Sequence, residues 1–156
     1  MERNAFFESV DNWAEAGEFI DFQPRCPAYT AGFSLESLSI HVMDHRKRRL
    51  PVSRRSLEAH FGGFVIDQKR FASANQARKQ ALSIRYGQVA NSIDVSGNEG
   101  RSYARGPVPD EDDPDGRDPA VIVWNEGERF FLVTSVELDD EELYRVASSM
   151  YKTGHE

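Results

Sequence analysis

The sequence has one cysteine, four lysines and no long run of apolar residues. Its single cysteine, Cys26, excludes an intrachain disulfide and any zinc or iron–sulfur site that needs several cysteines. No segment approaches the ~20 apolar residues of a membrane-spanning helix, and the N-terminus lacks the charged and apolar regions of a signal peptide. We therefore expect a soluble, cytoplasmic protein that requires no membrane, and no motif indicates a cofactor.

Acidic residues outnumber basic ones, and the net charge is −7. This balance disfavours nucleic acid as a partner of the surface as a whole, because phosphate contacts depend on Lys and Arg. The apolar share of 39% is low, but ten Phe, five Tyr and two Trp supply the large apolar side chains that disordered chains lack. A length of 156 residues fits one folded domain over residues 1–156.

The N-terminal third contains a helix pattern and a strand pattern. Apolar residues recur at helical spacing, with Asn4 as N-cap and Gly17 as terminator, which predicts an amphipathic helix over residues 1–20. Alternating apolar and polar residues over 37–45 predict the first strand.

The middle of the chain contains signals for a strand, a helix and a further strand. An apolar run over residues 61–66 contains a double glycine and predicts a strand with either a bulge or a close approach of the backbone at the glycines. Ser73 and Gln76 form a capping box, which predicts a helix over 73–86. A third strand is predicted over residues 89–95.

Turn signals divide the last third into hairpins. Residues 97–100 predict a turn before a fourth strand over 101–105, and residues 120–134 predict the clearest hairpin. Asp139 is the predicted N-cap of a final helix. Its apolar face comprises Leu143, Val146, Ala147 and Met150. The fold predicted is α+β, with an antiparallel sheet of about five or six strands and the N-terminal, middle and C-terminal helices packed on one face.

Short motifs follow one another over residues 120–151. A strand ends in Trp124, Gly127 lies in the following turn, an aromatic strand comes next, and an acid-led helix closes on Ala-Ser-Ser at 147–149. With the proline-bearing segment from residue 22 onward, this order resembles a bacterial domain of unknown function found C-terminal to membrane-anchored anti-sigma factors. The resemblance implies a bacterial sensory or binding module, and it assigns no catalytic residues.

The candidates for metal ligands and catalytic groups are few. His41 and His45 lie on a predicted strand, where four residues span ~13 Å, too far to share one ion at ~2.0–2.1 Å. The acidic segment at 110–118 has Ile122 where a calcium loop needs its bidentate Glu. We therefore assign no metal site and no catalytic residue.

A basic loop over residues 46–55 contains six bases and no acid. The candidate anion-binding or partner-binding residues are Arg46, Lys47, Arg48, Arg49, Arg54 and Arg55. Such a local excess of charge indicates contact with an anion, a nucleic acid or a partner protein. The alternative is a solvated loop, since no aromatic residues interleave to stack on single-stranded bases.

An acidic loop over residues 108–119 carries the opposite charge. Each loop repels itself in isolation, so we expect the two to meet within the molecule or across a homodimer.

The absence of a recognisable catalytic motif favours a binding or interaction module without enzymatic activity, whose partner is a protein or a small ligand. The resemblance implies that this module is regulatory or sensory. An enzyme with a site assembled only in the fold is the alternative. A small nucleic-acid-associated regulator that uses the basic loop is a third hypothesis. In the folded protein, convergent His, Asp or Arg side chains in the largest pocket would favour the enzyme, and an apolar groove the binding module.

Overall fold

The computed structural model describes residues 6–84, 90–104, 106–107 and 117–151. Within these residues the strands are β1 (Phe7–Val10), β2 (Leu35–His41), β3 (Ser56–Phe61), β4 (Val65–Arg70), β5 (Asn91–Val95), β6 (Asn98–Tyr103), β7 (Gly106–Pro107), β8 (Arg117–Asp118), β9 (Ala120–Glu126) and β10 (Arg129–Ser135). The α-helices are α1 (Trp13–Phe19), α2 (Ala74–Ser83) and α3 (Asp140–Ser149), and Val52–Arg54 forms a 3-10 turn. None of the helices described is long and apolar enough to cross a membrane.

The strands form one antiparallel sheet of eight in the order β1-β2-β3-β4-β10-β9-β6-β5, and β7 pairs separately with β8. The prediction of helices combined with an antiparallel sheet is confirmed. The described sheet has more strands than the five or six predicted, because residues 7–10 were predicted as helix and the second predicted strand is two strands, β3 and β4, joined by a turn.

The N-terminal segment is a strand followed by a short helix, so the helix predicted over residues 1–20 is wrong in its first half. Strand β1 pairs antiparallel with β2, a long-range contact that no local pattern shows. Helix α1 is capped by Asn12, whose side chain accepts a 2.8 Å hydrogen bond from the backbone N–H of Glu15. The predicted cap, Asn4, lies outside the described residues.

The strand predicted over residues 61–66 is a turn between two strands. Gly62 and Gly63 lie in the turn that joins β3 to β4, and the N–H of Phe61 donates to the carbonyl of Phe64 at 2.9 Å. A Cβ atom on Gly63 would overlap the Phe33 ring. The double glycine therefore marks a close approach at a hairpin turn rather than a bulge inside one strand.

Strand β9 is buried on both faces of the sheet. Its side chains alternate: Ile122 and Trp124 join the core that contains α1 and α3, whereas Val121 and Val123 pack with Ala77 of α2. Helix α2 thus covers the face opposite to the other two helices, and the prediction that all helices share one face is wrong. A continuous apolar run is typical of a strand covered on both sides.

Gly100 lies inside β6 rather than in the turn predicted at residues 97–100. It pairs with Trp124 of β9. A Cβ atom at Gly100 would lie 2.8 Å from the carbonyl oxygen of Val123 and 2.9 Å from Trp124 Cβ. Because part of this contact is with backbone, a side-chain movement cannot relieve it.

We predict that Gly100→Ala lowers the free energy of unfolding by about 1–3 kcal/mol through overpacking. Gly17→Ala is the control, since its new Cβ would come no closer than 3.6 Å to Pro24 and Ala favours helix over Gly. Urea denaturation followed by far-UV circular dichroism measures both variants. Equal stability of Gly100→Ala and the wild type would contradict the contact.

Candidate functional site

Two of the six predicted basic residues are paired with acids. Arg48 Nε lies 3.4 Å from Asp44 Oδ2, and Arg49 Nη2 lies 2.9 Å from Glu8 Oε1. Asp44 also accepts hydrogen bonds from two backbone N–H groups of the loop, and these bonds lower the pKa of its carboxyl group. The basic loop is therefore partly neutralised from within the molecule.

The remaining bases of the loop divide into buried and exposed. Arg55 is buried, and its guanidinium donates to the carbonyls of Leu50 at 3.1 Å and Phe19 at 3.2 Å. It ties the loop to α1 and is not accessible to a ligand. Arg46 and Lys47 are exposed in a turn.

Only Arg54 of the six predicted residues lines a cavity described in the structure. This cavity has a volume of about 650 Å³ and lies between the 3-10 turn, the end of β4 and the start of α2. Its lining residues are Asp21, Ser53, Arg54, Lys69, Arg70, Phe71, Ala72 and Gln76. We call it the basic pocket, because its lining has three cationic side chains and one carboxylate.

Arg54 and Lys69 are the uncompensated charges of the basic pocket. Neither forms an ion pair with any residue that the structure describes. Burial and, second, the positive charge of Arg54 lower the pKa of Lys69. The Lys69 ammonium lies 5.0 Å from the centre of the Phe71 ring, so one of its sides faces an apolar surface. Two like charges held together in this way attract an anion.

Arg70, by contrast, is already paired. Its guanidinium contacts Asp21 Oδ2 at 3.3 Å and Glu128 Oε1 at 3.0 Å. Asp21, the carboxylate of the pocket, is therefore bound to Arg70 and does not neutralise the other two cations.

Helix α2 begins at the edge of the basic pocket. Ser73 caps it by accepting a 3.2 Å hydrogen bond from the N–H of Gln76. No acidic residue lies in its first turn, whereas Asp140, Glu141 and Glu142 fill the first turn of α3. The partial positive charge at the start of α2 is thus left uncompensated and adds to that of Arg54 and Lys69.

The other sequence candidates do not form a site. Among the described residues, no group of three His, Cys, Asp or Glu side chains is placed to hold a metal ion. His41 packs against the Phe7 ring with centroids 5.1 Å apart. Cys26 is half-buried, and burial raises the pKa of its thiol. The acidic loop lies outside the described residues between 108 and 116, so its predicted contact with the basic loop stays a prediction.

Sequence reasoning missed a cluster of titratable side chains on β3 and β4. Glu58 and Asp67 face each other in the β3–β4 register. His60 Nε2 lies 2.6 Å from Glu58 Oε1. Alternation within each strand was visible in the sequence, but the pairing of Glu58 with Asp67 depends on the register of the hairpin.

No protein-family model, curated protein or solved structure matches the chain. The resemblance of residues 120–151 to the domain appended to anti-sigma factors therefore stays a prediction.

Proposed function

We propose that the protein is a regulatory or sensory binding module that takes a small anionic ligand in the basic pocket. The observation that carries this proposal is that Arg54 and Lys69 line the same pocket and that neither has an acidic partner among the described residues. The N-terminus of α2, which has no acidic residue in its first turn, lies beside them. A phosphate or carboxylate group placed between them would accept charge-assisted hydrogen bonds from both side chains.

The size of the pocket indicates an organic anion rather than a bare ion. A volume of about 650 Å³ lies within the range of small-molecule sites, roughly 300–1,000 Å³. Phe71 and Ala72 supply apolar surface next to the cations. Nucleic acid fits less well, since the whole chain carries −7 and a free pair of cations is a small footprint.

The charged lining is the feature we associated with an enzyme, but its groups favour binding over catalysis. Asp21 is held by Arg70, and the guanidinium of Arg54 does not transfer protons at ordinary pH. Lys69 is then the one charged lining group that could transfer a proton, and with Arg54 in the same lining we assign both cations to holding an anion in place. On this proposal the partner is a small ligand. The other arginines of the basic loop that form contacts, Arg48, Arg49 and Arg55, hold the loop against the rest of the molecule.

We predict that Arg54→Ala combined with Lys69→Ala weakens binding of sulfate at least tenfold. Hydrogen bonds to charged groups contribute about 1.5–3 kcal/mol each, and 1.4 kcal/mol is a factor of ten. Titration of backbone amide chemical shifts with sulfate at low ionic strength measures the affinity, and residues 69–76 should shift most.

The matched control is Arg46→Ala, which removes an exposed cation of the basic loop outside the pocket. It should leave the sulfate affinity within about twofold of the wild type, since exposed charges act weakly over a distance in salt. If Arg46→Ala and the double variant weaken binding equally, sulfate responds to net charge alone and the pocket proposal fails.

A further inference from the structure

The pair Glu58 and Asp67 lies on the half of the sheet that no described helix covers. Core residues such as Leu57 and Ile66 alternate with them and point to the opposite face, toward the core with α1 and α3. Helix α2 packs on this side over β9 and β10. A groove of about 390 Å³ runs along the uncovered side and is lined in part by Glu58 and His60. The carboxyl group of Glu58 can therefore exchange protons with solvent.

The residues that lie opposite Asp67 and Glu58 on the flanking strands carry no charge. Leu132 of β10 lies opposite Asp67 in register, and Ser39 of β2 lies opposite Glu58. His60 contacts Glu58 at 2.6 Å. No cation contacts Asp67 within ion-pair distance among the described residues.

The other charged groups around the pair lie on the neighbouring elements. Strand β2 contributes His41, and Glu36 also lines the groove. Lys69 is two residues along β4, next to Arg54 of the basic pocket. Strands β1 and β10 present uncharged side chains on this face, namely Phe7, Ser9, Phe130, Leu132 and Thr134.

The charges of α2 point elsewhere. Arg78 pairs with Glu99 of β6 at 3.8 Å. Lys79 is exposed, on the side of the helix away from the buried Ala77 and Ala81.

Two carboxylates held this close repel each other, and one stays protonated to higher pH than usual. Burial and, second, the charge of Glu58 raise the pKa of Asp67 to about 7. A proton on one carboxyl group would form a hydrogen bond to the other and would join β3 to β4 at this register position.

We propose that Glu58 and Asp67 form a pH switch: they share one proton across β3 and β4, and its loss weakens the pairing of the two strands. Strand β3 follows directly from the 3-10 turn that carries Arg54, and Lys69 lies on β4, in register with Ser56. The switch therefore also sets the spacing of the two cations of the basic pocket. This last consequence rests on the proposed function, whereas the shared proton does not.

The sign of the effect on stability follows from proton linkage. An unfolded Asp releases its proton near 3.8, but the folded protein keeps the proton on Asp67 to about 7. The native state binds more protons than the unfolded state between these values, so stability falls as pH rises from about 4 to 7 and is level above.

The direct experiment is titration of the side-chain carboxyl carbons by NMR. We expect Asp67 to titrate near pH 7 in the wild type. The melting temperature of the wild type should fall by roughly 5 °C between pH 5 and pH 8. The melting temperature of Asp67→Asn should not show this fall. Glu58→Gln should lower the pKa of Asp67. Glu18→Gln, an exposed acid of α1, should change none of these readings.

The binding arm uses sulfate, whose charge is constant over this range. Wild-type affinity should fall about threefold or more from pH 6 to pH 8, beyond any change in Asp67→Asn. An ordinary titration of Asp67 near pH 4 overturns the switch. If Asp67 titrates near pH 7 but the sulfate affinities of the wild type and Asp67→Asn change equally with pH, the link between the switch and the basic pocket is overturned. Absence of sulfate binding at every pH overturns the proposed function but leaves the carboxyl titration to decide the shared proton.

Discussion

Trp124→Ala is expected to lower the free energy of unfolding by about 3–5 kcal/mol, the range for truncation of large aromatic core residues. Trp124 is fully buried in the centre of the sheet. Its ring stacks on Phe131 of the neighbouring strand, with centroids 4.9 Å apart and planes 11° from parallel. The substitution removes this stack and leaves a cavity under α3.

Trp124 also begins a chain of polar contacts. Its indole N–H donates to the Tyr151 hydroxyl at 2.8 Å, and that hydroxyl donates to Glu126 at 3.2 Å. Burial raises the pKa of Tyr151 to about 12, so the hydroxyl remains a donor at ordinary pH. Glu126 in turn receives two hydrogen bonds of 3.1 Å from Arg25, whose guanidinium lies 4.1 Å from the Tyr151 ring centre. Loss of the indole therefore loosens the attachment of the segment around Arg25.

Thermal and urea unfolding, followed by far-UV circular dichroism, measure the effect. A typical domain is stable by about 5–15 kcal/mol, so the variant should unfold at a clearly lower temperature. Trp124→Phe should keep the ring stack but lose the indole donor, and its stability should lie between that of the wild type and that of Trp124→Ala. Val52→Ala, an exposed apolar truncation, should change stability by no more than about 0.5 kcal/mol. Equal effects at Trp124 and Val52 would show that the stack contributes little.

The parts of the fold predicted correctly have strong local signals. The final hairpin turns at Gly127, which adopts a positive φ of 58°, and the cap at Asp139 accepts a 2.9 Å hydrogen bond from the N–H of Glu142. Ser73 caps α2 as predicted. Each signal acts within four residues, so it can be identified in a single sequence.

The errors fall where distant pairing decides the conformation. Residues 7–10 fit a helical pattern, but their partner is β2, some thirty residues later in the chain. The run Ala120–Trp124 signalled a strand, yet it did not show that α2 would cover one face and α3 the other. Patterns of two or four residues carry no information about which elements become neighbours.

Of the proposed site, the sequence indicated only the local excess of positive charge. The density of bases in residues 46–55 identified Arg54, but Lys69 and Gln76 reach the same pocket from other elements. Composition could not distinguish Arg54 from Arg55, because one is exposed in the pocket and the other is buried under the loop. That difference depends on where the 3-10 turn ends and β3 begins.

Leu143→Ala is expected to lower the free energy of unfolding by about 2–5 kcal/mol. Leu143 is fully buried, and α3 places it in the same core as Ile122 and Trp124. Nearby side chains of the sheet cannot fill the space, because strand pairing fixes their backbone. The expected loss is therefore that of a cavity, not only of transferred methyl groups.

The control for Leu143→Ala is Glu141→Ala, on the exposed side of the same helix. Removing this acid weakens only the favourable charge near the helix N-terminus, an effect of about 0.3–1 kcal/mol. Urea titrations of both variants should give the same slope with denaturant, which shows that the unfolded states are comparable. If Leu143→Ala matches Glu141→Ala, α3 contributes its charge and caps but not its apolar face to the fold. A large difference between them assigns the stability of the C-terminal third to the packing of Leu143 against β9.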